Sequence, residues 1–138
     1  MRAVLDTDVQ VSGLLLPQSI AGRILRAWRD GQFTIVTSEP LLVELARVLD
    51  YPKIQRRIGW QAEVVDRYIS LLRFRTEVVV PDLRRIEVSV PVRDRDDEMV
   101  LGTLLASGAD LIISGDQDFL ALHQHYPIET PDQFCRRL

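Results

Sequence analysis

The chain has 138 residues, 46% hydrophobic and 27% charged, enough apolar material for one compact domain over residues 1–138. A net charge of −3 excludes a basic nucleic-acid coat protein, although a bound metal can supply positive charge inside a site. The single cysteine, Cys135, excludes an internal disulfide and a cysteine zinc site, and no apolar run spans a bilayer, so no membrane contact is expected.

Residues 2–5 read as a short apolar strand ending at Asp6, and an Asp at that point breaks the apolar region a signal peptide needs. A soluble cytoplasmic protein is therefore expected. Residues 20–28 form an amphipathic helix with Ile20, Ile24, Ala27 and Trp28 on one face, and 33–36 a second strand. Ser38 can cap the next helix, with Pro40 in its first turn, and that helix runs to about Leu49, before the Tyr51-Pro52 break. Residues 61–74 read as another helix and the β-branched run 76–80 as a strand. Residues 81–95 read as irregular and polar, with one extended stretch around 88–92. A helix at 96–107 has Gly108 as its C-cap, and residues 111–113 form a buried strand that ends in Ser114-Gly115-Asp116. A short helix follows from Asp118. Thr130-Pro131-Asp132-Gln133 is a capping box that opens a last helix.

Alternating strands and helices predict an α/β fold, a central parallel sheet with helices on both faces, in which ligands bind beyond the carboxyl ends of the strands. Two strands end in carboxylates: Asp6 follows Ala3-Val4-Leu5, and Asp116 follows Leu111-Ile112-Ile113, with Asp8 and Asp118 two residues beyond each. Asp is common in loops and caps, so either acid alone is ordinary. Two helices add more. Glu44 borders the stripe of Leu41, Leu45 and Val48, where it is either a packed stem with a solvated head or a site acid. Asp97 heads the stripe of Val100, Leu101 and Leu104, while Glu98 is rotated about 100° away toward solvent. Asp97 either caps its helix or joins a site. Clustered carboxylates repel one another unless a cation neutralises them, and oxygen ligands without His or Cys select Mg²⁺ or Mn²⁺. Such a site suits hydrolysis of phosphodiester bonds. His123 and His125 read as a surface pair, and Cys135 as an idle thiol.

These residues resemble the PIN-domain family, and the likeness covers nearly the whole chain. AVLDTDVQVSGLL resembles the family's opening strand and first acid, Glu44 sits on the expected helix, and VRDRDDEMVLGTLLASGADLIISGDQDFLAL resembles the third and fourth acidic motifs of the PIN toxins of toxin–antitoxin systems. The resemblance implies that Asp6, Glu44, Asp97 and Asp116 are catalytic metal-binding acids, with Asp94 and Asp118 as accessory acids. Ser114 stands where the family often has Thr, a hydroxyl that orients a carboxylate, and Asp8 replaces the usual Asn. The common Pro after the first Asp of the third motif is missing from Asp94-Arg95-Asp96-Asp97. The implied activity is Mg²⁺- or Mn²⁺-dependent cleavage of RNA by the toxin half of a bacterial pair. The implied partners are a small antitoxin that fills the groove and a second copy in a homodimer. RNA contacts are expected in loops and at Arg23, Arg26, Arg56 and Arg57.

Two other readings compete. A haloacid-dehalogenase-like phosphatase would use Asp6-Thr7-Asp8 and a lysine near the phosphate, for which Lys53, the one lysine, is the candidate, but Leu120 stands where its second Asp belongs. A non-catalytic PIN-like module would hold RNA or protein without cutting, and the retention of all four acids argues against it.

Overall fold

The computed structural model describes residues 1–86 and 94–138, so the extended stretch expected at 88–92 lies outside the described residues. Five short strands, β1 (Arg2–Leu5), β2 (Thr34–Thr37), β3 (Glu77–Val78), β4 (Leu111–Ile113) and β5 (Ile128–Glu129), form one sheet in the order β3-β2-β1-β4-β5. Among the described residues every pairing is parallel. Parallel strands need crossovers, and helices supply them: α1 (Thr7–Leu15), α2 (Ile20–Arg29), α3 (Glu39–Leu49), α4 (Pro52–Ile58), α5 (Ala62–Arg75), α6 (Arg95–Ser107), α7 (Gln117–Leu120) and α8 (Pro131–Cys135).

Successive side chains of a strand point to opposite faces, and here both faces are apolar. Ala3, Leu5, Ile35, Leu111 and Ile113 pack with Ile24, Leu25 and Trp28 of α2, Leu42, Leu45 and Leu49 of α3, and Phe134 of α8. On the other face Val4, Val36, Ile112 and Ile128 pack with Val100, Leu101 and Leu104 of α6 and Phe119 of α7. The expected α/β sheet with helices on both faces is the observed one.

The chain moves from β1 outward to β2 and β3, then returns to place β4 on β1's other side, with Leu5 in register with Ile113. The order therefore reverses between β1 and β4. Ligands of open parallel sheets bind beyond the carboxyl ends of the strands at such a reversal.

Several elements differ from the sequence reading. Helix α1 went unseen because its buried residues, Thr7, Val9, Gln10, Val11 and Gly13, ring the helix without making a stripe. Pro52 starts α4 instead of breaking the chain, since the first helical turn needs no N–H from it, and Gly59 ends the helix at φ 63°. Strand β5 is two residues long, below any periodic signal, and the strand expected at 76–80 is reduced to Glu77–Val78. Ser38 precedes α3 but makes no side-chain cap; its hydroxyl instead accepts from Thr103 of α6 at 2.9 Å. The capping box at Thr130 and Gln133 forms as read, and Gly108 ends α6 at φ 64°. Among the described residues no helix is long and apolar enough to cross a membrane.

Candidate active site

Asp6 leaves β1 at its carboxyl end and serves as the N-cap of α1: one carboxylate oxygen accepts from the Thr7 N–H at 2.8 Å. Its other oxygen accepts from the Ser114 hydroxyl at 2.7 Å. Ser114 is fully buried just past β4, and its Oγ also accepts the Asp116 N–H at 3.1 Å. Asp116 in turn caps α7 by accepting from the Asp118 N–H at 3.0 Å. One hydroxyl thus fixes the first acid and the turn that carries the fourth. The pairing of β1 with β4 makes this possible, because it sets Leu5 beside Ile113.

The helices supply the remaining wall. Thr7 of α1 donates its hydroxyl to Oε2 of Glu44 on α3 at 2.8 Å, so the residue after Asp6 anchors the second acid. Asp94 caps α6 by accepting from the Asp96 N–H at 2.8 Å. Asp97 follows in the first turn, one turn before the buried Val100 and Leu101. Asp6, Asp8, Glu44, Asp94, Asp96, Asp97 and Asp116 line one cleft of about 630 Å³, together with the aliphatic side chains of Val11, Leu15, Val48 and Ile54.

So many carboxylates in one cleft disturb their own ionisation. Asp6 is pushed up to about 6, first by desolvation and then by Asp8 and Asp116, against the hydrogen bonds from Ser114 and Thr7. Glu44 is pushed up to about 7 by burial, then by Asp96 and Asp6, with the Thr7 hydroxyl opposing. Asp97 rises to about 7 through desolvation and the charges of Asp6, Asp94, Asp116 and Asp96. Asp8 is raised as well, foremost by desolvation, although hydrogen bonds from the Val9 and Gly115 N–H groups oppose this. Asp6 and Asp116 both act on Asp97, so the acids of α1, α6 and the β4–α7 turn share one field.

The residues read from the sequence divide in two. Asp6, Glu44, Asp94, Asp97, Asp116 and Asp8 line the cleft, with Ser114 beneath it. Asp118 is exposed and absent from the lining, and its backbone braces Asp116. Glu98 is half-buried and likewise absent from the lining. The sequence reading missed Asp96, which lines the cleft, raises the Glu44 pKa and lies 3.6 Å from Arg47. Lys53, which the sequence placed beside the acids only in the phosphatase reading, lines the same cleft. Arg23 and Arg26 lie apart, around a hollow of about 210 Å³ shared with Asp30 and Leu138. His123 and His125 are both exposed, and Cys135 is buried.

An all-oxygen donor set fits Mg²⁺ or Mn²⁺ and not a soft metal. Among the described residues no group of three or more His, Cys, Asp or Glu side chains closes around an ion as it stands. That is compatible with Mg²⁺, which keeps several waters and binds through one or two carboxylates plus substrate phosphates. Asp6 spends one lone pair per oxygen on Thr7 and Ser114 and retains the others.

A family model described as PIN domain matches residues 2–118. The chain belongs to the PIN-domain family. PIN nucleases generally use divalent metals, in keeping with this donor set. The matched span contains every acid of the cleft and displaces the phosphatase reading of Asp6-Thr7-Asp8. The chain is 27% identical over 144 residues to the uncharacterized protein MJ1680 of Methanocaldococcus jannaschii, covering 97% of this PIN chain and 89% of that protein. The fold is similar to VapBC2 from Rickettsia felis, solved bound to a DNA fragment from their promoter (TM-score 0.63, 15% identity, 94% of this chain and 98% of that one). It is also similar to VapBC-1 from nontypeable Haemophilus influenzae (TM-score 0.59, 19% identity, 96% and 99%).

Proposed function

We propose that this PIN protein is a metal-dependent endoribonuclease, a single catalytic domain that hydrolyses RNA phosphodiester bonds. The observation that carries the reading is the convergence of Asp6, Glu44, Asp97 and Asp116 on one cleft at the sheet's reversal point, with Ser114 and Thr7 orienting the first two. Mg²⁺ or Mn²⁺, held by those acids with Asp94 as an accessory, would supply an activated water and neutralise charge on the phosphate. The chain's own part is to hold the carboxylates. Ser114 and the Thr7 N–H favour the ionised form of Asp6 against burial and its neighbours' charges, because a hydrogen bond to the charged form favours that form. Thr7 does the same for Glu44.

We further propose that the enzyme is the toxin of a toxin–antitoxin pair, with a small antitoxin as partner and a homodimer as its working form. Support comes from the family and from the fold shared with VapBC proteins, which is an argument by analogy. The test of activity is direct. Purified protein should cut RNA with Mg²⁺ or Mn²⁺ and stop on addition of EDTA. Undiminished cleavage in EDTA overturns the metal mechanism, and RNA binding without any metal-dependent cleavage assigns a non-catalytic module instead. Co-purification with the product of a neighbouring gene tests the partner.

A further inference from the structure

On the wall of the cleft beside the acids stand two cations, Lys53 and Arg57. They are four residues apart on α4 and so project from one face of the helix. Both are exposed, and among the described residues neither side chain has a hydrogen-bond or ion-pair partner. Other arginines near the sheet are already engaged: Arg47 with Asp96, Arg73 with Glu39 and Arg137 with Glu129. Spare cations in a cleft crowded with carboxylates, but pairing with none of them, are free to meet an anion that enters from outside.

We propose, building on the ribonuclease reading above, that Lys53 and Arg57 are positioning residues that hold the phosphates flanking the one that is cut. An RNA strand is a polyanion, and the carboxylate floor of the cleft repels it wherever no metal intervenes. Flanking phosphates therefore need positive charge from the protein, and α4 places it on the adjoining wall. Arg57 offers a planar fork suited to two phosphate oxygens, and Lys53 a point charge. Ile54, next to Lys53, joins Val48 and Leu15 in an aliphatic surface against which sugars and bases can rest. Among the described residues no aromatic side chain lines the cleft, so these offer bases no stacking platform there. The contribution of this wall is then electrostatic, sensitive to salt and indifferent to base.

The experiment uses the full-length protein with Mn²⁺ and a single-stranded RNA oligonucleotide, and measures kcat and KM across a range of NaCl. The Lys53→Gln/Arg57→Gln double variant should raise KM about tenfold at low salt and leave kcat within about twofold. Removing one cation from a phosphate should reduce the slope of log binding against log salt by about 0.7, so the double variant should show a slope smaller by about 1.4. Lys53→Arg/Arg57→Lys should restore both quantities, and Arg67→Gln, a surface charge on α5, should change neither. A Tm in the double variant that matches the wild type's both with Mn²⁺ and in EDTA shows that the fold and the acids are intact. Wild-type cleavage with an unchanged KM and salt slope in the double variant overturns the assignment. So does a double variant that fails only to bind a co-expressed protein partner, which would give these cations to a protein. A wild-type protein that cuts no RNA overturns the ribonuclease reading, and this assignment with it.

Discussion

Ser114 donates its hydroxyl to Oδ2 of Asp6 at 2.7 Å across the junction of β1 and β4, from a position with no exposure to solvent. The same hydroxyl oxygen accepts the Asp116 N–H, so one side chain holds the first acid and the backbone of another, each just beyond a different strand. Ser114→Ala should therefore lower metal-dependent cleavage about 10- to 100-fold, the usual effect of removing an orienting partner from a metal ligand. It should also leave Asp6 harder to ionise, since the hydroxyl now opposes the rise in its pKa. The cost in stability should be about 1 kcal/mol, because only one buried hydrogen-bonding group goes with it. Ser114→Thr keeps the hydroxyl and should retain most activity. Rates at saturating and limiting Mn²⁺, with Tm for each variant, check this. Full activity in Ser114→Ala at limiting Mn²⁺ would remove Ser114 from the mechanism.

The sheet was legible because β1 and β4 are unbroken apolar runs that end in acids, a pattern expected only of strands buried on both faces. Asp97 was legible because Val100, Leu101 and Leu104 fix the phase of α6. Asp96 was not, since a position beside the stripe says nothing of a partner on another helix, and its neighbour Glu44 lies fifty-two residues away on α3. Lys53 and Arg57 were named, one as a candidate phosphatase lysine and the other among four RNA-contact arginines, but their shared place on the cleft was not legible for a similar reason. Their helix is short, begins with a proline and has no buried residue, so the sequence carries no periodic signal to orient it. Local pattern reports which face of an element is buried; what that face meets is a property of the packing.

Without metal, the acids should make stability depend on pH in an unusual direction. Asp6 near 6 and Glu44 and Asp97 near 7 all titrate above their ordinary values of 3.8 and 4.5 in the folded protein. The folded state then binds protons more tightly than the unfolded one. Their contribution to stability is fully present below about pH 4 and is lost as pH rises through 6 to 7. In EDTA, the Tm difference between the Asp6→Asn/Asp97→Asn variant and the wild type should therefore grow between pH 5 and 7.5, with the variant the more stable at the upper end. A constant difference across that range would show that neither burial nor mutual repulsion raises these carboxyls in the fold.

A divalent cation should relieve the same repulsion. At pH 7.5, millimolar Mn²⁺ should raise the wild-type Tm, because an ion that binds only the folded state stabilises it by about 2.7 kcal/mol at a hundredfold excess over Kd. Asp6→Asn/Asp116→Asn removes an acid from each of the two central strand ends and should lose that increment. Ca²⁺ offers a second probe with the same hard-oxygen preference. An equal Mn²⁺ shift in the double variant would place the binding elsewhere on the protein.

The sharpest prediction separates neighbours on α6. Asp97 lines the cleft, and its carboxyl is raised by desolvation and by Asp6, Asp94, Asp116 and Asp96, whereas Glu98 is absent from the lining. The phase is set by packing: Val100, Leu101 and Leu104 are buried against the sheet, and Asp97 lies three, four and seven residues before them. Glu98 is displaced by about 100° on the same helix, where it is half-buried outside the cleft. Asp97→Asn keeps the shape and removes the charge, so cleavage should fall by about 100-fold or more, equivalent to about 2.7 kcal/mol of transition-state stabilisation. Its fold should be intact, and in EDTA its Tm should match or exceed the wild type's, because one source of repulsion is gone. Glu98→Gln should keep cleavage within about threefold. Asp96→Asn should fall between them, since it frees Arg47 and removes one of the charges that add to burial in raising the Glu44 pKa, yet leaves the other cleft acids in place. Loss of cleavage in Glu98→Gln with Asp97→Asn still active would reverse the assignment and show that α6 turns a different face to the cleft when metal and RNA are bound.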